Sequence, residues 1–234
     1  MSTIHTPRRQ GKVWLVGFGP GDPELLTCKA HRILGQADVL FYDALVPAAH
    51  LAVYPGRKRA VGKRDHTEQA GINTLLLEAA QRGECVARVK IGDPMLFGRG
   101  GEELAFLRAH GVAVEVVPGV SAAQAAAAVA EVPLTLRGVA QRLELRTGHG
   151  CAAATPERPT VVYYMGAARL AVIAAELLAE GHPLGTPVAL IENATRPEQR
   201  ITHTTLAELP QQTARAPLTL IVGEVVRGIS FPGR

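Results

Sequence analysis

From Lys12 onward, short apolar runs alternate with stretches of helical periodicity. Val13–Val16 is a four-residue apolar run and predicts a buried strand. After Pro23, residues Leu26, Ala30, Ile33 and Leu34 recur at helical spacing, and Gly35 is placed to end that helix. Asp38–Tyr42 predicts a second strand that ends at Asp43. Gly71–Gln81 predicts a helix with Leu75, Leu76 and Ala79 on its apolar positions, and Cys85–Ile91 another strand. A helix over Gly101–Ala109 and a strand over Val112–Val117 complete a βαβαβαβ order, which predicts a largely parallel sheet with helices on both faces.

Pro118-Gly119 interrupts the pattern, and the alanine-rich segment Ser121–Ala130 follows as a helix of small residues. Leu143–Thr147 and Thr160–Met165 are expected as strands, Leu170–Glu180 as an amphipathic helix, and Pro187–Glu192 as a strand. Thr205–Gln212 is expected as a short helix and Leu218–Val226 as the final strand. The expected organisation is α/β throughout. It has a flexible tail at 1–11, an N-terminal α/β domain at 12–119 and a C-terminal α/β domain at 120–234. A short linker near Gly119 would bring the halves together around a cleft.

Composition narrows the class. At 234 residues the chain can bury a substantial core, and 47% hydrophobic with only 4% aromatic residues means that aliphatics do the packing. The net charge of +4 is spread among acids without a dense basic run, which argues against a nucleic-acid partner. Cys28, Cys85 and Cys151 are far apart and odd in number, a pattern of reduced thiols and packing rather than of a zinc site or disulfide framework. The polar start, Met1 to Gln10, leads into no apolar core of a signal peptide, and the apolar runs are too short to span a membrane. A cytoplasmic protein with no membrane partner is expected.

Two stretches carry the chemistry: Val13–Thr27 and Val89–Glu103. Each is a strand running into a loop rich in glycine and proline and then a helix, the place where open parallel sheets hold ligands. Gly17 and Gly19 give the G-x-G of a dinucleotide fingerprint, but Asp22 stands where its third glycine would be. Asp22 suits an N-cap with Pro23 at the first helical position, and its carboxylate would compete with phosphate for the same amides. A loop that meets a neutral or cationic ligand fits better.

In order along the chain stand G-x-G-P-G-D-P-E-L-L-T at Gly17–Thr27, Y-D-x-L-V at Tyr42–Val46, and V-G-K-R at Val61–Arg64. After them come G-D-P-x-x-F-G-R-G-G-E-E at Gly92–Glu103, V-V-P-G-V-S-A at Val116–Ala122, and P-L-T-x-R-G at Pro133–Gly138. Y-M-G at Tyr164–Gly166 and I-E-N-x-T at Ile191–Thr195 follow. With these motifs, from about Lys12 to Val226, the chain resembles the tetrapyrrole (uroporphyrinogen and precorrin) methylases, which transfer methyl groups from S-adenosylmethionine. The resemblance implies that fold, with the active site in the cleft between two α/β domains, and a homodimer. It implies cofactor contacts at Pro20, Ile91, Gly92, Asp93, Leu96, Ser121, Ala122, Met165 and Ala194. Ile91 and Ala194 stand where the family commonly has glycine. Ile91 therefore predicts β-region backbone, with its side chain turned from the ligand.

The F-G-R-G-G-E-E run points to the members that methylate uroporphyrinogen III at C2 and C7, through precorrin-1 to precorrin-2, on the routes to siroheme, cobalamin and heme d1. In that reaction a pyrrole carbon attacks the sulfonium methyl, S-adenosylhomocysteine leaves, and a proton is lost from a neighbouring carbon. The resemblance assigns the proton acceptor to Asp43 and the donor to Lys63. The substrate carries eight carboxylates, so Arg99 is the candidate for gripping one of them, with Glu102 orienting it or meeting pyrrole N–H groups. No metal is required, because methyl transfer depends on orientation. Two alternatives are a methylase of the same fold with a later precorrin or another substrate, and a non-catalytic cofactor-binding partner.

Overall fold

A computed structural model of the chain describes residues 11–62, 68–148 and 158–227. By its internal contacts the chain forms two compact units, Met1–His149 and Gly150–Arg234. The segment between Gly119 and His149, expected to open a second domain, groups with the first unit. It is tied there by the Gly119 N–H, which donates to Asp93 Oδ2 at 3.0 Å.

The first unit is built on a parallel sheet of β1 (Lys12–Gly17), β2 (Val39–Asp43), β3 (Arg57–Val61), β4 (Cys85–Lys90) and β5 (Ala113–Val117), in the order β3-β2-β4-β1-β5. The helices are α1 (Cys28–Leu34), α2 (Ala48–Leu51), α3 (Gln69–Gln81), α4 (Gly100–Ala109) and α5 (Ala122–Ala130). Strand β4 is buried at every position, as an inner parallel strand covered on both faces must be. Its Ala87 and Val89 join Val16, Phe18, Leu40, Ile33 and Leu34 in one apolar cluster. Each such side chain contributes roughly 1.5–3 kcal/mol on burial. Arg88 and Lys90 alternate with these residues and so lie on the opposite face, where α3 and α4 supply Gln69 and Glu103.

The helix expected after Pro23 is two elements. Asp22 does cap a turn, accepting from Glu24 N at 2.9 Å, but this is a single 3-10 turn, Pro23–Leu25. The α-helix begins at Cys28, with Thr27 Oγ1 accepting from Ala30 N. Cys28 is exposed at that helix start, not buried as a packing residue would be. Strand β3 escaped notice because Arg57, Lys58 and Arg59 make it polar, as suits the edge of a sheet.

The second unit carries an antiparallel sheet of β6 (Val161–Tyr164), β7 (Pro187–Glu192), β8 (Arg200–Thr205) and β9 (Leu218–Val222), in the order β6-β9-β7-β8. Helix α6 (Leu170–Ala179) covers it, burying Leu170, Ile173 and Leu177 against Val188, Leu190, Leu218, Leu220 and Val222. Leu143–Thr147 forms no strand: its apolar alternation is genuine, but no strand among the described residues pairs with it, and Leu143 and Leu145 are exposed. Thr205 ends β8 instead of starting a helix, and only Leu209–Gln211 coils, around Pro210. The last strand stops at Val222, because Gly223 at φ 138° breaks the extended path.

Candidate functional site

At the carboxyl ends of β1, β2 and β4 the first unit opens into a cavity of about 970 Å³. Its walls are largely apolar, with Ile72, Ile91, Leu96 and Phe97 among them, and Asp43, Arg88 and Lys90 form a charged group at one end. That is the make-up of a small-molecule site. Asp43, the last residue of β2, stands at the charged end with its side chain 29% exposed.

Arg88 and Lys90 hold Asp43 from the neighbouring strand. The Arg88 guanidinium donates through Nη2 to Asp43 Oδ1, and Lys90 Nζ lies 3.5 Å from Oδ2. Both cations also reach Glu103 on α4: Arg88 Nε donates to Oε1 at 3.0 Å and Lys90 Nζ at 3.1 Å. Gln69 Nε2 adds a third donor to the same oxygen at 3.2 Å. The cluster balances two cations against two carboxylates. Only Asp43 among them has substantial access to the cavity.

The loops after β1 and β4 are bonded to each other. Gly19 N donates to Gly92 O at 3.2 Å, and Gly92 N returns a bond to Gly19 O at 2.7 Å. Gly92 takes φ +67°, the left-handed region that favours glycine, and its Cα faces Ala122 N. Ile91 is outside that region, as its β-branched side chain requires, and is half-buried against the core cluster at the cavity's edge. Asp93 spends both carboxylate oxygens on the fold, accepting from Met95 N at 2.8 Å and Gly119 N at 3.0 Å. Ser121 caps α5 in a box with Gln124, whose Oε1 accepts from Ser121 N at 3.1 Å. Pro20, Ile91, Gly92, Asp93, Leu96, Ser121 and Ala122 all line this one cavity.

Arg99 lines the cavity and forms a bidentate pair with Glu102, Nε to Oε1 at 2.9 Å and Nη2 to Oε2 at 2.7 Å. Each is 56% exposed. The hydrogen bond from Arg99 holds the Glu102 carboxyl below its ordinary range, and the same bond raises the guanidinium's. Arg99 and Phe97 both have positive φ, 55° and 53°. Side chains rarely pay this backbone strain away from functional loops.

Met165 and Ala194 belong to the second unit. Met165 is exposed at φ 60°, its N–H bonded to Leu218 O. Ala194 lies between Asn193 and Thr195, both at positive φ, while its own φ is not, so alanine is accommodated where glycine is common. Lys63 lies outside the described residues. Arg88, Lys90, Glu103 and Gln69 were not singled out in the sequence, although two charges inside an otherwise apolar strand, V-A-R-V-K, were a usable signal.

The family model for Tetrapyrrole (Corrin/Porphyrin) Methylases matches residues 12–210. The siroheme synthase of Azotobacter vinelandii is 46% identical over 242 residues, covering 94% of this chain and 51% of that protein. The chain thus spans about half the length of the siroheme synthases it matches. A crystal structure of uroporphyrin-III C-methyl transferase from Thermus thermophilus, complexed with S-adenyl homocysteine, is 44% identical with a TM-score of 0.51. The match covers 93% of this chain and 94% of that one. A second structure of the Thermus thermophilus enzyme gives 40% identity over the same shares and a TM-score of 0.57.

Proposed function

Since the chain belongs to the tetrapyrrole methylases, we propose that it catalyses S-adenosylmethionine-dependent methylation of uroporphyrinogen III at C2 and C7, giving precorrin-2. The observation that carries this reading is the cavity's division of labour. Its apolar wall and interlocked glycine loops suit an uncharged nucleoside and the sulfur-bearing chain attached to it. Its charged end presents the Asp43 carboxylate held by Arg88, and Arg99 adds a guanidinium fixed by Glu102. The related Thermus thermophilus structure with S-adenyl homocysteine supports the same cofactor here.

The residues present fit that cofactor. Pro20, the backbone of Ile91-Gly92-Asp93, Leu96, Ser121 and Ala122 would hold it in the first unit, and the family likeness adds Met165 and Ala194 as further cofactor contacts. A side chain at Gly92 would need a strained φ and would narrow the approach to Ala122 N. S-adenosylmethionine supplies, when bound, a methyl group on a sulfonium centre.

The chain's own residues do the rest. Arg99 grips a substrate carboxylate with a guanidinium already pointed by Glu102. Asp43, anchored by Arg88, faces the ring as an anion, stabilises the positive charge that develops on the pyrrole, and accepts the proton that leaves the adjoining carbon. Lys63 is the proposed proton donor. The protein would act as a cytoplasmic homodimer.

An anaerobic assay with uroporphyrinogen III and labelled S-adenosylmethionine tests the reading. A product two methyl groups heavier is the expected result. Cofactor binding without transfer to uroporphyrinogen III, but with transfer to a later precorrin, would overturn the substrate assignment.

A further inference from the structure

Glu103 is fully buried, and its position calls for an explanation that stability does not supply. Oε1 takes hydrogen bonds from Arg88, Lys90 and Gln69, while Oε2 is buried with no partner among the described residues. A buried ion cluster is seldom more stabilising than apolar packing of the same volume, and an unsatisfied acceptor makes it worse. The neighbouring inward positions of α4, Leu104 and Leu107, are apolar and buried. What Glu103 does share is its cations. Arg88 points Nε at Glu103 and Nη2 at Asp43, so one planar guanidinium bridges the two carboxylates. Lys90 lies 3.1 Å from Glu103 and 3.5 Å from Asp43.

We propose that Glu103 is a positioning residue for Asp43: it shares Arg88 and Lys90 with the site carboxylate, so that Asp43 is held in direction without being clamped by two uncompensated cations. The proposal rests on Asp43 as the proton acceptor. A carboxylate facing two cations alone is a weaker base and less free to meet the substrate. With Glu103 charged, the net charge around Asp43 is balanced, and one edge of the Arg88 fork fixes the other.

The test compares Glu103→Gln with Glu103→Asp. Turnover of uroporphyrinogen III is expressed per site counted by calorimetric titration with S-adenosylhomocysteine, so that loss of folded protein does not register. Glu103→Gln removes the charge and is expected to lower kcat per site about 10-fold or more, with substrate KM and S-adenosylhomocysteine affinity within about twofold. Glu103→Asp keeps the charge and is expected to recover most of that loss. Parental kcat per site in Glu103→Gln, or equal losses in Gln and Asp, would overturn the proposal. If Glu103→Gln yields no binding sites, the charge-balanced double variant Lys90→Gln/Glu103→Gln decides. Turnover within about threefold of the parent supports the proposal, and a loss of 10-fold or more overturns it. Asp43→Asn is run alongside. Undiminished turnover there would instead sink the reading of Asp43 and leave Glu103 nothing to position.

Discussion

Arg88, itself 1% exposed, donates a charge-assisted hydrogen bond through Nη2 to the partly exposed Asp43 on the next strand. The register of β2 against β4 makes this possible: Phe41 lies beside Arg88, so the guanidinium needs to reach only to the strand's last residue. Arg88→Lys keeps the charge but cannot bridge two carboxylates in one plane. It is expected to fold, to bind S-adenosylhomocysteine like the parent, and to lose at least 10-fold in kcat. Arg88→Met leaves two carboxylates facing Lys90 alone and is expected to cost about 3–5 kcal/mol, seen as a lower urea midpoint.

Asp43→Asn retains an acceptor for Arg88 and removes the negative charge. A fall in kcat of about 10²–10⁴-fold is expected, with cofactor affinity unchanged. Steady-state assay and calorimetry on the same preparation would show it. Weakened cofactor binding together with full turnover per bound site would place Asp43 in the cofactor's contacts instead.

Arg99 and Glu102 form a geometrically good pair, but both are 56% exposed, and such pairs contribute only about 0–1 kcal/mol. Arg99→Ala should therefore hardly move the melting temperature. Loss of a guanidinium–carboxylate contact with the substrate should nonetheless raise KM for uroporphyrinogen III by roughly 10-fold or more. Glu102→Gln should raise KM less. A large drop in stability with unchanged KM would make the pair a helix brace.

The parallel sheet was legible in the sequence because its inner strands are continuous apolar runs between helical periodicities, as in Val13–Val16 and Cys85–Ile91. The loop residues Pro20, Gly92, Ser121 and Ala122 were legible through motifs, and they line one cavity. Local pattern misled where pairing decides. Leu143–Thr147 alternates like a strand yet joins neither sheet among the described residues, whereas the polar Arg57–Val61 pairs with β2. The hub at Glu103 was missed because nothing in the spacing of Arg88, Lys90 and Glu103 says that one carboxylate will face both cations. Strand register and the docking of α4 settle that.

Gly17 lies where two chain segments touch. A Cβ there would be 2.5 Å from Gly119 N and 2.7 Å from Gly119 Cα, both backbone, so neither neighbour can turn aside. Gly17→Ala is expected to cost about 1–3 kcal/mol and to weaken S-adenosylhomocysteine binding, since Gly119 is tied to the Asp93 loop. Unchanged affinity in the folded variant would mean that the two loops adjust independently.

On the far side of the sheet from these loops' chemistry, Glu115 accepts from Lys12 Nζ and pairs with Lys29 Nζ, each at 2.5 Å, and also accepts from Trp14 Nε1 at 3.2 Å. The bond from Lys12, then that from Lys29, lowers its carboxyl from 4.5 to about 2. Because the group binds its proton more weakly in the folded protein, unfolding takes up a proton in acid. The stabilisation is complete above about 4.5, shrinks as pH falls, and is gone below about 2. The lysines are 38% and 47% exposed, so screening keeps the contribution to roughly 1 kcal/mol. Glu115→Gln should lower the unfolding free energy at pH 7 by that amount, read from a urea titration. The gap from the parent should narrow steadily below pH 4.5 and shrink in high salt. A gap that stays constant with pH would assign the loss to packing against Trp14 rather than to charge.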